Sequence, residues 1–121
     1  MKLNPQQQAA VKYLGGPLLV LAGAGSGKTG VITQKIKHLI VNVGYLPHTV
    51  AAITFTNKAA TEMQERVAKM LPKSQTRGLT ICTFHSLGMK ILREEANHIG
   101  YKKNFSILDS TDSAKIIGEL L

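Results

Sequence analysis

Apolar residues along the chain alternate between short continuous runs and helical stripes. Asn4-Pro5 opens a helix, with Asn as N-cap and Pro at the first helical position, running to about Leu14 and ending at Gly15-Gly16. Pro17 to Ala22 is a continuous apolar run, the pattern of a parallel strand buried on both faces. After a glycine-rich turn, Ile32, Ile36, Leu39, Ile40 and Val43 recur at helical spacing, and Gly44 is the stop. Val50 to Phe55 reads as a second buried strand. Asn57 to Leu71 reads as a helix with Ala60, Met63, Val67, Met70 and Leu71 on its inner face. Glu62 with Arg66 and Glu65 with Lys69 are i,i+4 pairs on its outer face.

Pro72 to Gly78 is a polar loop, and Leu79 to Thr83 a third strand. Phe84, Leu87, Ile91 and Leu92 begin another amphipathic helix that stops at Gly100. Phe105 to Leu108 is short and ambiguous, and Asp109 or Ser110 caps a last helix through Leu121. That helix is still apolar at Leu120-Leu121 with no C-cap signal, which reads as a natural N-terminus followed by a truncation. The order is a helix, then strand–helix repeated, then extra helix. Repeated βα units predict an α/β fold with a parallel sheet and right-handed crossovers.

Composition adds a partner class. In 121 residues, 44% are hydrophobic and 18% charged, enough apolar material for a packed core. Fifteen Lys and Arg against 7 Asp and Glu leave a net charge of +8, which favours a polyanionic partner or, more plainly, solubility. No carboxylate side chain precedes Glu62, so a carboxylate metal site or general base must lie later or off this chain. Cys82 is the single cysteine, which excludes an internal disulfide or a multi-cysteine zinc site and reads as a buried, inert thiol. A reducing cytoplasmic setting fits this usage. The N-terminus lacks the apolar core of a signal peptide, and no run approaches the roughly 18 apolar residues of a membrane span.

The strongest chemical signal is Ala22-Gly23-Ala24-Gly25-Ser26-Gly27-Lys28-Thr29, set between an expected strand and an expected helix. This is the context of a Walker A phosphate loop, with Ala22 where the strict pattern has Gly. The glycines let successive backbone N–H groups face one anion, and the helix adds its positive end. Lys28 can reach the β- and γ-phosphates, and the Thr29 hydroxyl can coordinate Mg²⁺. A phosphate loop alone leaves open a small-molecule kinase, another P-loop enzyme or a non-catalytic nucleotide-binding module.

Three further segments narrow the field: Leu3-Asn4-x-x-Gln7 upstream, Thr54-Phe55-Thr56-Asn57-Lys58 after the second strand, and Thr83-Phe84-His85 after the third. With the phosphate loop, they resemble the opening of superfamily 1 DNA helicases of the Rep/UvrD type, nearest its Rep branch. The resemblance covers essentially the whole chain. It implies a RecA-like P-loop NTPase fold, with residues 1–86 as the first part of motor subdomain 1A and 87–121 as the truncated start of helical insertion 1B. It implies an ATP- and Mg²⁺-dependent helicase that walks 3′ to 5′ on single-stranded DNA and opens duplex junctions, with replication or repair proteins as further partners.

In that family Gln7 resembles the residue that reads the adenine edge, and residues Ala22 to Thr29 the ATP phosphate site, with Lys28 and Thr29 as its catalytic pair. Thr54, Phe55, Thr56, Asn57 and Lys58, with Thr83, Phe84 and His85, resemble its single-strand contacts. Gly30 stands where many relatives carry Arg.

Taken alone, Gln7 could be a solvated helix residue, Phe55 a core aromatic, Thr56 or Asn57 only a helix cap, and His85 a satisfied histidine. Ligands of open parallel sheets bind beyond the carboxyl ends of strands, so the three loops are expected on one rim. Hydrolysis also needs a Mg²⁺-anchoring Asp with a water-positioning Glu or Gln. Asp109 ends an apolar run but lacks an adjacent Glu. In the helicase reading it belongs to the helical insertion, and the chain alone is expected to be inactive.

Overall fold

The computed structural model describes residues 2–22, 27–106 and 110–120, and divides into two compact units, residues 1–87 and 88–121. The first unit is α/β. Helix α1 spans Pro5–Lys12, α2 spans Lys28–Lys37, β1 spans Ala51–Thr54, α3 spans Asn57–Met70 and β2 spans Thr80–Thr83. Helix α4, Phe84–Glu95, begins in this unit, and α5, Ser110–Leu120, lies in the second.

Strands β1 and β2 pair in parallel, with Ala51 opposite Thr80, Ala52 opposite Ile81, Ile53 opposite Cys82 and Thr54 opposite Thr83. Helix α3 is the crossover between them, as parallel pairing requires. It starts where Thr56, in extended backbone, accepts the Ala59 N–H on its hydroxyl oxygen, and it buries Ala60, Met63 and Val67. Met63 and Val67 share one core with Ala52 and Ile81 from the sheet, Ile36 and Ile40 from α2 and its continuation, and Val50 and Leu71 from the flanking turns. Gln64 donates its amide to the Ile81 carbonyl at 2.7 Å, which ties α3 to β2.

The helix expected to run to Gly44 forms as α2 followed by a wider π turn over His38–Val43, and Gly44 ends it at φ 90°. Two expectations need correction. The run Pro17 to Ala22 forms no strand, and the sheet among the described residues has two strands. Leu19 and Leu21 are 82% and 88% exposed, and among the described residues the run has no pairing strand. A parallel strand is stable only with its backbone groups paired on its neighbours, and none of the described strands supplies that ladder here. Cys82 is half-buried rather than buried, because it points from β2 to the face opposite Ile81 and Thr83.

Glycine is required at position 78. Its φ is +85°, and an added Cβ would lie 2.8 Å from the His48 Cβ. Gly78→Ala should therefore destabilise the first unit by about 1–3 kcal/mol. Gly88→Ala, on α4 with open space around it, should be neutral or stabilising by about 0.5–1 kcal/mol. Urea midpoints of the two variants measure the contrast, and equal shifts would refute the steric account.

In the second unit α4 gives way to a 3₁₀ turn over Ala96–Ile99, which ends at Gly100 with φ 82°. The Arg93 guanidinium lies 5.3 Å from the Phe105 ring centroid and donates to the Lys103 carbonyl, pinning residues 101–106 back on the helix. Among the described residues no helix is long and apolar enough to cross a membrane.

Candidate nucleotide and nucleic-acid sites

Of the residues expected to bind nucleotide, Gln7 lies on α1 and Lys28 and Thr29 on α2. Asn4 caps α1 by accepting the Gln7 N–H at 2.8 Å, and the Gln7 side-chain oxygen accepts the Asn4 N–H at 2.9 Å. This reciprocal capping box sets the orientation of the Gln7 amide. Helix α2 begins at Gly27, which sits in the left-handed region at φ 80°, with no side-chain cap and no acidic residue in its first turn. A helix start left this way directs backbone N–H groups and a positive end outward, which suits an anion.

Lys28 is exposed on that first turn, and Thr29 is half-buried beside it. Gly30 is buried, and its carbonyl accepts the Thr33 hydroxyl at 3.0 Å. Gln7, Ala22 and Lys28 line one cleft of about 280 Å³ with Ala10 and Val31. Gly23, Ala24, Gly25 and Ser26 lie outside the described residues, as does Asp109.

The second set is placed by the sheet register. Thr54 and Thr83 are partners at the last rung. Each chain then turns into a helix through a threonine hydroxyl: Thr56 caps α3, and Thr83 accepts the Ser86 N–H at 3.1 Å to cap α4. Thr54 also donates its hydroxyl to the Thr56 carbonyl at 3.1 Å, tightening the first turn. The residues just past the last rung, Phe55 and Phe84, are thereby neighbours, with ring centroids 5.3 Å apart at a 43° tilt.

Phe55 is 90% exposed and Phe84 56%, so both rings stand on the surface and the core-aromatic alternative for Phe55 falls. Asn57, Lys58 and His85 are exposed too, whereas Thr83 is buried and acts on the backbone. Among the described residues the ends of β1 and β2 form one rim, and the loop after the first expected strand lies outside those residues.

Two contributors escaped the sequence reading. The partnership of Asn4 with Gln7 was visible as the pattern Asn-x-x-Gln at a helix start. Lys35, whose ammonium reaches back to the end of α1, carried no local signal at all. Among the described residues no group of three or more His, Cys, Asp or Glu gathers as a metal site.

Comparison with known proteins shows the family. A family model described as the UvrD/REP helicase N-terminal domain matches residues 3–121. The chain is 56% identical over 120 residues to the ATP-dependent DNA helicase Rep of Salmonella typhimurium, covering 99% of this chain and 18% of that protein. The same figures hold for Rep of Escherichia coli K12. Identity to the ATP-dependent DNA helicase PcrA of Staphylococcus aureus is 48% over 119 residues, 98% of this chain and 16% of the relative. The chain thus spans less than a fifth of the length of these relatives.

Proposed function

Since the chain belongs to the UvrD/REP helicase N-terminal domain family, we propose that it is the ATP-binding part of a RecA-like motor that moves 3′ to 5′ along single-stranded DNA and unwinds duplex junctions. The observation that carries this reading is the cleft shared by Gln7, Ala22 and Lys28, at the start of a helix whose first turn has neither cap nor acid. The names of the relatives do not favour a small-molecule kinase. Residues 1–86 are assigned to motor subdomain 1A and residues 87–121 to the beginning of insertion 1B.

The residues fit a nucleoside triphosphate. The N–H groups at the start of α2 would hold phosphate oxygens, and the Lys28 ammonium would offset charge on the β- and γ-phosphates. Gln7 would present its amide to the base edge. The Thr29 hydroxyl would hold Mg²⁺, which when bound neutralises developing charge on the phosphates. With Gly30 on the inner side of α2, no side chain from that position reaches the base. The carboxylates that anchor the metal and position water are expected outside residues 1–121, so the chain by itself should not turn over ATP.

The exposed Phe55–Phe84 pair would receive bases of the single strand, with Thr56, Asn57, Lys58 and His85 placed for its phosphates. Gln7→Ala tests the adenine assignment. Affinity for ATP should fall by about 1–3 kcal/mol, while affinity for GTP stays nearly constant. Titration of both nucleotides into the full chain measures this, and equal losses would reduce Gln7 to a helix-capping residue.

A further inference from the structure

One side chain fastens the end of α1 to α2. The Lys35 ammonium donates to the carbonyls of Ala10 and Tyr13, each at 2.8 Å, and lies 3.4 Å from that of Val11. An ammonium has three N–H donors, and here they face the Ala10 and Val11 carbonyls, which the last turn of a helix leaves without intrahelical partners, and the carbonyl of the C-cap residue Tyr13. The negative end of the α1 dipole adds to the attraction.

The rest of the attachment is slight. Helix α1 has 8 residues and Val11 is its one buried residue. A helix this short is not stable by itself.

We infer that Lys35 is a positioning residue for base recognition: it sets the separation between Gln7 on α1 and the phosphate-binding turn on α2. Lys28 and Lys35 lie about two turns apart on one helix, and Gln7 and Ala10 about one turn apart on the other. The two groups that line the cleft and the two ends of the clasp therefore sit on the same pair of short rigid elements. A triphosphate held at α2 meets Gln7 at the right distance only while α1 is held there. This inference rests on the proposed ATP site.

The test compares ATP, GTP and inorganic tripolyphosphate, which has no base, as ligands of the full chain by calorimetric titration. The proteins are wild type, Lys35→Met, Lys35→Arg, Gln7→Ala and the Lys35→Met/Gln7→Ala double variant. Lys35→Met should lower the preference for ATP over GTP by about fivefold or more. Its tripolyphosphate affinity should stay within about twofold of wild type. In the double variant the preference should equal that of Gln7→Ala alone, because Lys35 acts through Gln7. Lys35→Arg, which keeps the charge and the donors, should recover part of the preference.

An unchanged preference in Lys35→Met, with Gln7→Ala abolishing it, would make Lys35 a structural anchor only and overturn the inference. A parallel loss of tripolyphosphate binding would do the same. A preference unaffected by Gln7→Ala would overturn the adenine assignment itself, and the inference with it. If Lys35→Met does not fold, Lys35→Gln is read by the same ratios, which do not depend on the fraction folded.

Discussion

In the full-length motor proposed above, Lys28→Ala is expected to lower ATP turnover by about a thousandfold, while the protein stays folded. A charge that stabilises the transferring phosphoryl group acts in a site shielded from water, where removing one such contact typically costs about 10²–10³-fold. The fold should be indifferent because Lys28 is exposed on the first turn of α2 and Ala is at least as good a helix former. Surface changes of this kind usually shift stability by less than about 0.5 kcal/mol. Phosphate release in the presence of single-stranded DNA, paired with a circular dichroism melt, separates the two effects. Turnover within a few-fold of wild type would remove Lys28 from the phosphate site.

The second large effect is expected at the aromatic pair. Phe55→Ala should weaken binding of single-stranded DNA by about 1–3 kcal/mol, the usual worth of one stacked base. Phe84→Ala should act in the same direction. The double variant should lose less than the sum, because rings 5.3 Å apart serve one platform. Little stability is at stake at Phe55, whose ring is 90% exposed and buries almost no apolar surface.

Phosphate contacts should make the remaining affinity fall steeply from low to physiological salt, with nearly the same slope in wild type and Phe55→Ala, since the substitution removes no charge. Anisotropy of a labelled oligothymidine across a sodium chloride series reads both quantities. Wild-type affinity in Phe55→Ala, or binding insensitive to salt, would exclude base stacking at this edge.

Helix boundaries were legible because their signals are local. Asn4-Pro5, Gly44, Thr56 and Gly100 all mark helix ends, as caps that act within a few residues of themselves. The buried face of α3 was readable from the spacing of Ala60, Met63 and Val67, since helical periodicity and burial coincide on a helix packed against a sheet. Pro17 to Ala22 misled for an equally physical reason. Apolar composition reports that a segment would gain from burial, but not whether a pairing strand lies beside it. Among the described residues none does, and Leu19 and Leu21 face solvent.

By itself the sequence determined helices α1 and α2 and the identity of the two strand-end segments, because capping and apolar spacing are properties of neighbouring residues. Only the tertiary structure decided that Phe55 and Phe84 form one exposed pair, since that follows from the Thr54–Thr83 register, set by packing across the α3 crossover. It alone decided that Gln7 and Lys28 share a cleft and that Lys35 clasps the end of α1. The carbonyls of Ala10 and Tyr13 are ordinary backbone groups at more than twenty residues' remove from Lys35, and backbone acceptors leave no mark in an amino-acid sequence.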